Sequence, residues 1–261
     1  MRVQQLLSAA VLGLLLTTTS VAEGNDVKEV HRTLALDANG KVSLETFKGS
    51  IDVTVWDRNE IDVAARVEPD PDGEDQAEKV RETEIRIEGS GASVRIETDY
   101  SRVRRHGFLG VFGDDGTVPF ARYTIRMPKT ARLEIKDYKS ESRISGLTDR
   151  LDFNSYKGDV RLTALEGPVR LETYKGVVHA DLARFAESRF ETYKGEIEIA
   201  LPKGASFDLD ADLGHRGNLD SDFPMAVRSS EGGGRHRSTV GGGGPRLELE
   251  TYKGSFRLRE R

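Results

Sequence analysis

The sequence predicts an all-β protein, a single-stranded β-solenoid-like (β-helix) repeat domain of about 18–19 residues per coil with an N-terminal antiparallel β extension. Three observations predict it. An aromatic-Lys-Gly phrase recurs along the chain, apolar residues alternate with period two on either side of it, and hydrophobic residues make up only 36% of the sequence. Period-two alternation marks strands with one buried and one wet face, an architecture that needs less apolar material than a thick globular core.

The first element is a leader. Arg2 precedes an apolar run from Leu6 to Leu16 broken only by Ser8 and Gly13, and Ser20-Val21-Ala22 supplies small residues for cleavage. This order is that of a secretory signal peptide, residues 1–22, cut after Ala22. A bilayer span needs about 20 predominantly apolar residues, and this run is roughly half that. The expected mature chain is therefore exported, with no transmembrane segment, and periplasmic or cell-surface associated in a bacterium. There is no cysteine, so neither disulfide staples nor a lipidated cysteine are available, and stability must come from burial and hydrogen bonding. The formal net charge of -5 is well mixed along the chain and offers no global attraction to nucleic acid.

The repeat comes next. Leu44-Glu45-Thr46-Phe47-Lys48-Gly49, Ile135-Lys136-Asp137-Tyr138-Lys139-Ser140, Phe153-Asn154-Ser155-Tyr156-Lys157-Gly158, Leu171-Glu172-Thr173-Tyr174-Lys175-Gly176, Phe190-Glu191-Thr192-Tyr193-Lys194-Gly195 and Leu249-Glu250-Thr251-Tyr252-Lys253-Gly254 are six versions of one phrase. The turn residues 140, 158, 176 and 195 are 18, 18 and 19 residues apart. After each turn the chain alternates again, as in Asp159-Val160-Arg161-Leu162 and Glu196-Ile197-Glu198-Ile199. Counted back from the turn residue, the Leu, Ile or Phe at minus five and the Thr, Ser or Asp at minus three face inward, and the aromatic at minus two faces out. Glycine bends the chain because it takes positive φ without a Cβ clash, and Ser140 marks a less sharp bend. No coil buries its apolar face alone, so neighbours must stack.

Gly195 and Gly254 are 59 residues apart, about three periods, with Gly217-Asn218-Leu219 as a degenerate turn between them. Residues 231–245 carry Gly232 to Gly234 and Gly241 to Gly244 and read as a Gly-rich mobile loop. The expected organisation is thus a leader at 1–22, an N-terminal β region at 23–132 and solenoid repeats at 133–261. In the N-terminal region strands are expected at Ile51 to Trp56, Ile61 to Val67, Glu84 to Glu88, Ser93 to Thr98 and Ala121 to Met127. Pro69 to Gly73 is a turn, and Glu74 to Glu82 a short helix or a charged loop.

From about Val30 to Arg259 the chain resembles the bacterial putative-adhesin domains of β-repeat type, also called toastrack domains, a family largely of unknown function. The resemblance rests on the strand Tyr123-Thr124-Ile125-Arg126-Met127-Pro128, the Gly-turn repeats after it, the second proline strand Ile199-Ala200-Leu201-Pro202, and the Gly-rich stretch before the last repeat. It implies the β-repeat fold and no catalytic residue. Family members usually turn on Ser-Gly, where this chain has Lys-Gly at five turns and Lys-Ser at one, so no ligand carries over.

Stacking at the usual strand separation of about 4.8 Å would set Tyr138, Tyr156, Tyr174, Tyr193 and Tyr252 in one exposed column, with Phe47 at an end. Lys139, Lys157, Lys175, Lys194 and Lys253, with Lys48, would form another. Like side chains at equivalent positions stack and stiffen any repeat protein, which is one reading of the column. The other is a binding stripe for a glycan on the rings, or for an anionic polymer or lipid headgroups on the lysines. Packing gives no reason for lysines at wet turns, and Glu141, Asp159 and Glu196 offer them only partial relief.

A second candidate contact surface is the loop at 101–120, where Arg102, Arg104 and Arg105 precede Phe108 and Phe112 among glycines. It reads either as a contact loop for a membrane surface or partner, or as a connection whose phenylalanines fold back over the open end of the repeats.

The chemistry of enzymes is weakly represented. His31, His106, His179, His215 and His236 have no metal-ligand spacing, and neither a Gly-x-Ser-x-Gly elbow nor a phosphate-binding Gly-x-x-x-x-Gly-Lys loop occurs. Asp208-Leu209-Asp210-Ala211-Asp212 lacks the distal glutamate of a calcium loop and alternates like a strand. No cofactor and no metal site is expected. The sequence points to a non-catalytic envelope module that binds or scaffolds, with envelope polysaccharide, anionic lipid headgroups or another envelope protein as the partner. The alternatives are a structural or regulatory partner in envelope-stress signalling without a ligand, and a polysaccharide-degrading enzyme built on paired carboxylates.

Overall fold

The computed structural model describes residues 26–105, 118–225, 229–230 and 234–261. The chain is all-β; among the described residues there are two short helices, and the strands join in one long mixed sheet. The N-terminal strands are β1 (Lys28–Glu45), β2 (Lys48–Trp56), β3 (Glu60–Glu68), β4 (Glu84–Asp99) and β5 (Phe120–Pro128), with helices α1 (Gln76–Glu82) and α2 (Ser101–Arg105) between them. The repeats supply β6 (Arg132–Ser145), β7 (Leu151–Lys157), β8 (Val160–Leu165), β9 (Val169–Lys175), β10 (Val177–Leu182), β11 (Ser188–Thr192) and β12 (Glu196–Leu201). Then come β13 (Phe207–Asp212), β14 (Asn218–Ser221), β15 (Ser229–Ser230), β16 (Arg235–Val240), β17 (Arg246–Thr251) and β18 (Ser255–Glu260).

Each phrase joins a strand before its turn to a strand after it, and both stack on their counterparts. The pre-turn strands pair in parallel, in the order β4, β1, β6, β7, β9, β11, β17, β13. The post-turn strands do the same in the order β5, β2, the second half of β6, β8, β10, β12, β18, β14. Register is strict: Phe153, Leu171, Phe190 and Leu249 lie side by side, as do Val160, Val178, Ile197 and Phe256. These residues form the core. A one-residue slip would turn every one of them to solvent, which is why the alternation fixes the pairing.

At one end β3 closes the arrangement, pairing antiparallel with β1 and with β5. At the other end β16 and β15 pair antiparallel with β13 and β14. Spatial order departs from chain order here: β17 and β18, the last strands in sequence, sit between β11/β12 and β13/β14. The reason lies in side-chain identity, since the Leu-Glu-Thr-Tyr-Lys-Gly phrase at 249–254 matches the rung at 190–195, whereas the 207–221 rung has no Tyr-Lys pair at its turn. Residues 235–240 are strand β16, a correction to the expected mobile loop at 231–245; residues 231–233 lie outside the described residues. The strand survives its glycine-rich surroundings because Asp210 holds Arg235 and Arg237, and Asp208 accepts from Thr239. The N-terminal strand expectations hold, with 84–88 and 93–98 joined in β4 and the 74–82 segment becoming α1.

Glycine at the turns has a second cause beyond backbone freedom. Gly158 and Gly176 take φ of 131° and 146°. A Cβ on Gly176 would also lie 2.1 Å from the Gly158 carbonyl oxygen, and one on Gly254 would lie 2.4 Å from that of Gly195, whose own φ is not positive. Neighbouring rungs therefore approach where a side chain would stand. Ser140 fits because β6 runs straight through it, and its N–H and Oγ both donate to Asp137, at 2.8 and 2.6 Å.

Candidate functional site

The minus-three residues form a buried polar thread beneath the turns. Thr98 Oγ1 lies 2.5 Å from the Tyr123 hydroxyl and 3.0 Å from Thr46 Oγ1. Farther along, Ser155 donates to Asp137 Oδ2 at 3.1 Å, while Thr192 and Thr251 accept the N–H of Gly195 and Gly254 at 2.8 and 2.7 Å. Ser155 and Thr173 also donate to the carbonyls of Lys157 and Lys175, so from Ser155 to Thr251 each hydroxyl ties its own turn. Burial pushes the Asp137 carboxyl above its ordinary range, against the hydrogen bonds from Ser140 and Ser155 that pull it down.

Above this thread stand the aromatics. Phe47, Tyr138, Tyr156, Tyr174, Tyr193 and Tyr252 form one continuous stack with centroids 4.5, 4.8, 4.8, 4.8 and 5.1 Å apart and ring planes within 17° of parallel. Its spacing is that of the strands, so the backbone sets it. Both ends are covered edge-on, Phe47 by Tyr100 and Tyr252 by His215. The column faces solvent: Tyr156, Tyr193 and Tyr252 are 43, 39 and 40% exposed. Since ring faces meet ring faces, the column shows solvent its edges and hydroxyls.

Two charged columns flank the rings. On the turn side Lys139, Lys157, Lys175, Lys194 and Lys253 follow one another from rung to rung. None forms a close ion pair among the described residues; Lys194 and Lys253 instead set their ammonium groups 5.3 and 5.2 Å from the ring centres of Tyr174 and Tyr252. Two of the three acids expected to relieve them are engaged elsewhere, Glu141 with Arg143 and Asp159 with the Val177 N–H. Lys48 departs from the column. It is 5% exposed, ion-paired with buried Asp70, and lies 4.2 Å from the Phe120 ring centre. Burial alone would raise the Asp70 carboxyl, but Lys48 and the Asp72 N–H hold it below its usual range.

The second column, on the other side of the rings, belongs to the minus-four position. Asn154, Glu172, Glu191, Glu250 and Asp212 stand in one register. Asn154 donates to Glu172 at 3.1 Å, and the one guanidinium of Arg189 reaches Glu191, Glu248 and Glu250, at 3.1, 3.1 and 2.6 Å, with Glu248 also paired to Arg246 at 3.0 Å. Between this column and the rings runs an open trough of about 690 Å³ floored by Asp137, Ser155, Thr173, Thr192 and Thr251. The signal for this acidic wall in the sequence is the Glu of Leu-Glu-Thr-Tyr-Lys-Gly, to which the strand alternation alone assigns no role.

The chain is similar in structure to a putative cell adhesion protein from Clostridium sporogenes. That likeness has 13% identity and a TM-score of 0.48, covering 90% of this chain and 100% of the other. A putative adhesin from Bacteroides fragilis matches at 12% identity and TM-score 0.43, covering 90% and 97%. A putative lipid binding protein from Parabacteroides distasonis matches at 10% identity and TM-score 0.29 over the same shares. No family model matches the chain, and no curated protein does.

The loop candidate falls largely outside the described residues, which exclude Phe108, Phe112 and the side chains of Arg104 and Arg105. Arg102 is exposed on α2. What flanks the loop is anchored: Tyr100, Val103 and Val118 cluster against Phe47, and the Tyr100 hydroxyl donates to the Pro119 carbonyl at 3.0 Å. The expected leader at 1–22 also lies outside the described residues, and no described helix is long and apolar enough to cross a membrane. The Asp208–Asp212 stretch is strand β13, with Asp210 clasped by Arg235, Arg237 and Arg246 at 2.9, 3.4 and 2.8 Å.

Proposed function

We propose that the chain is an exported, non-catalytic β-solenoid of a bacterial cell envelope whose lysine column holds an extended anionic polymer. The observation that carries this reading is the run of five lysines in successive rungs without a close carboxylate partner. Ammonium groups held at the rung spacing of ~4.8 Å would repel by about 0.9 kcal/mol in unscreened water, an upper bound here because Lys194 and Lys253 swing toward different rings, and a bound polyanion relieves what repulsion is left. A polymer lying along the column meets one cation per rung, and its many weak contacts add. A neutral glycan stacked on the rings is the weaker form of the reading, because the ring faces are already occupied by one another. The leader-like segment at 1–22 supports the envelope location.

The ladder also supports the reading of a structural partner without a ligand, since a capped stack of rings stiffens the repeats by itself. A polysaccharide-degrading role is less well served. Apart from Asp137 in the floor, whose carboxyl is taken up by Ser140 and Ser155, the trough carboxylates stand along one wall, whereas hydrolysis of a glycosidic bond sets two on opposite sides of it. The test replaces Lys157, Lys175 and Lys194 by Gln together. Retention of the protein on isolated anionic envelope polysaccharide at low salt is expected to be lost, with thermal unfolding at no lower temperature than in the unaltered chain. Undiminished retention overturns the proposal.

A further inference from the structure

The trough on the far side of the rings has the opposite chemistry from the lysine column. Its walls are the edges of Tyr138, Tyr156, Tyr174, Tyr193 and Tyr252 and the acidic column that ends in Glu172, Glu191, Glu250 and Asp212. It spans the rungs from Asp137 to Asp212, five steps of about 4.8 Å, or roughly 24 Å.

We propose that this trough is a binding site for elongated, flat, cationic aromatic molecules lying along the repeat axis. Three features select that class. First, the ring edges and hydroxyls of the tyrosines line one side of the trough, so a flat π-system laid against them makes van der Waals contact at every rung it crosses, its charge being met by the opposite wall and not by the rings. Ring faces, by contrast, are sealed inside the stack and at both its ends. Second, the opposite wall sets the sign of the ligand. Glu191 and Glu250 share one guanidinium, that of Arg189, which also reaches Glu248, and among the described residues Glu172 and Asp212 accept only from the neutral N–H groups of Asn154 and Gly214. The ammonium column lies beyond the rings. Third, the straight and narrow form of the trough suits a ligand without a side-chain repeat of its own. An extended peptide presents side chains on one face every ~6.8 Å and runs out of step with rungs ~4.8 Å apart, whereas a continuous conjugated system needs no register.

This site is independent of the polyanion reading, because it uses the other flank of the rings. Thioflavin T, an elongated cationic benzothiazole, is the probe, titrated into the full chain with sedimentation to confirm that the signal travels with monomer. Saturable fluorescence enhancement at one site per chain is expected, with no competition from the anionic dye 1-anilinonaphthalene-8-sulfonate. The triple variant Glu172→Gln, Glu191→Gln, Glu250→Gln is expected to bind about tenfold more weakly, equivalent to ~1.4 kcal/mol. The Lys157, Lys175, Lys194 to Gln variant binds at least as well as the unaltered chain. Should the carboxylate variant fail to fold, raising ionic strength from about 20 mM to about 0.5 M replaces it, and affinity is expected to fall as the charges are screened. No enhancement on monomer, equal affinity in the carboxylate variant, or binding indifferent to salt each overturns the site.

Discussion

The middle rungs and the end rungs carry the same phrase and use it differently. From Tyr138 to Tyr193 every lysine is at the surface and every ring stacks on its neighbours at 4.8 Å. At the N-terminal end the equivalent lysine is buried with Asp70, and the equivalent ring is capped by Tyr100. At the other end the rung built from 207–221 has no Tyr-Lys pair at its turn, sets His215 edge-on against Tyr252, and lies outside the last repeat. Repetition thus specifies stacking, and departures from repetition specify where the stack stops. The regular region is the surface on which a long ligand meets constant geometry, and the ends are where the protein seals itself.

The largest contrast concerns the glycines. Gly176 faces the Gly158 carbonyl at a distance no side chain tolerates, while a Cβ on Gly204, at φ 72° in the turn after β12, meets nothing within 4 Å. Gly176→Ala is expected to cost at least ~4 kcal/mol or prevent folding, because two rungs must part. Gly204→Ala costs about 1 kcal/mol, the strain of a left-handed residue alone. Urea unfolding of the two variants checks this, and equal losses would mean that φ rather than rung contact dictates glycine in the repeats.

The lysines give the next contrast. Lys48→Gln removes the partner of a buried carboxylate and is expected to cost about 3 kcal/mol at neutral pH. Lys175→Gln removes a repelling surface charge and is expected to change stability by no more than ~0.5 kcal/mol. The Asp70 carboxyl sits below its usual range in the folded chain, so its contribution is present above the ordinary carboxylate pKa and disappears as pH falls through the folded value. The deficit of Lys48→Gln should therefore shrink in acid. A deficit that is constant with pH would show that Lys48 acts by packing on Phe120.

Much of this was legible in the sequence. The six phrases and their alternation gave the parallel stack, the outward rings and the surface lysines, because each follows from a local count of residues. Three things were not. The burial of Lys48 depends on Asp70, which approaches from a turn outside the repeat. Strand β16 depends on Asp208 and Asp210, which hold a segment whose glycines argue for a loop. The insertion of β17 and β18 before β13 and β14 depends on which rung matches Tyr193, and chain order says nothing of that. The acidic wall was written in the phrase but acquires meaning only once adjacent rungs bring Glu172, Glu191 and Glu250 into one row.

The smallest expected effect tests the one middle rung that breaks the phrase. Asp137 and Ser140 stand where other rungs have Thr or Ser and Gly, and they hold each other through two hydrogen bonds. The double variant Asp137→Thr, Ser140→Gly restores the pattern of Thr192 and Gly195, whose hydroxyl accepts the turn N–H. At neutral pH the native rung keeps a desolvated carboxylate, and the variant is expected to be more stable by about 1 kcal/mol. The Asp137 carboxyl is raised in the folded state, so the folded chain binds the extra proton first. Native stability therefore improves as pH falls through the folded value, until the unfolded carboxyl is protonated as well, near its ordinary pKa of about 4. The advantage of the variant should accordingly be largest at neutral pH and fade toward about pH 4, read as the difference in urea midpoint between the two proteins. An advantage independent of pH would place the cost of this rung in the Ser140 backbone, and a destabilised variant at every pH would make the Asp137–Ser140 pair a stronger turn than the Thr-Gly pair it replaces.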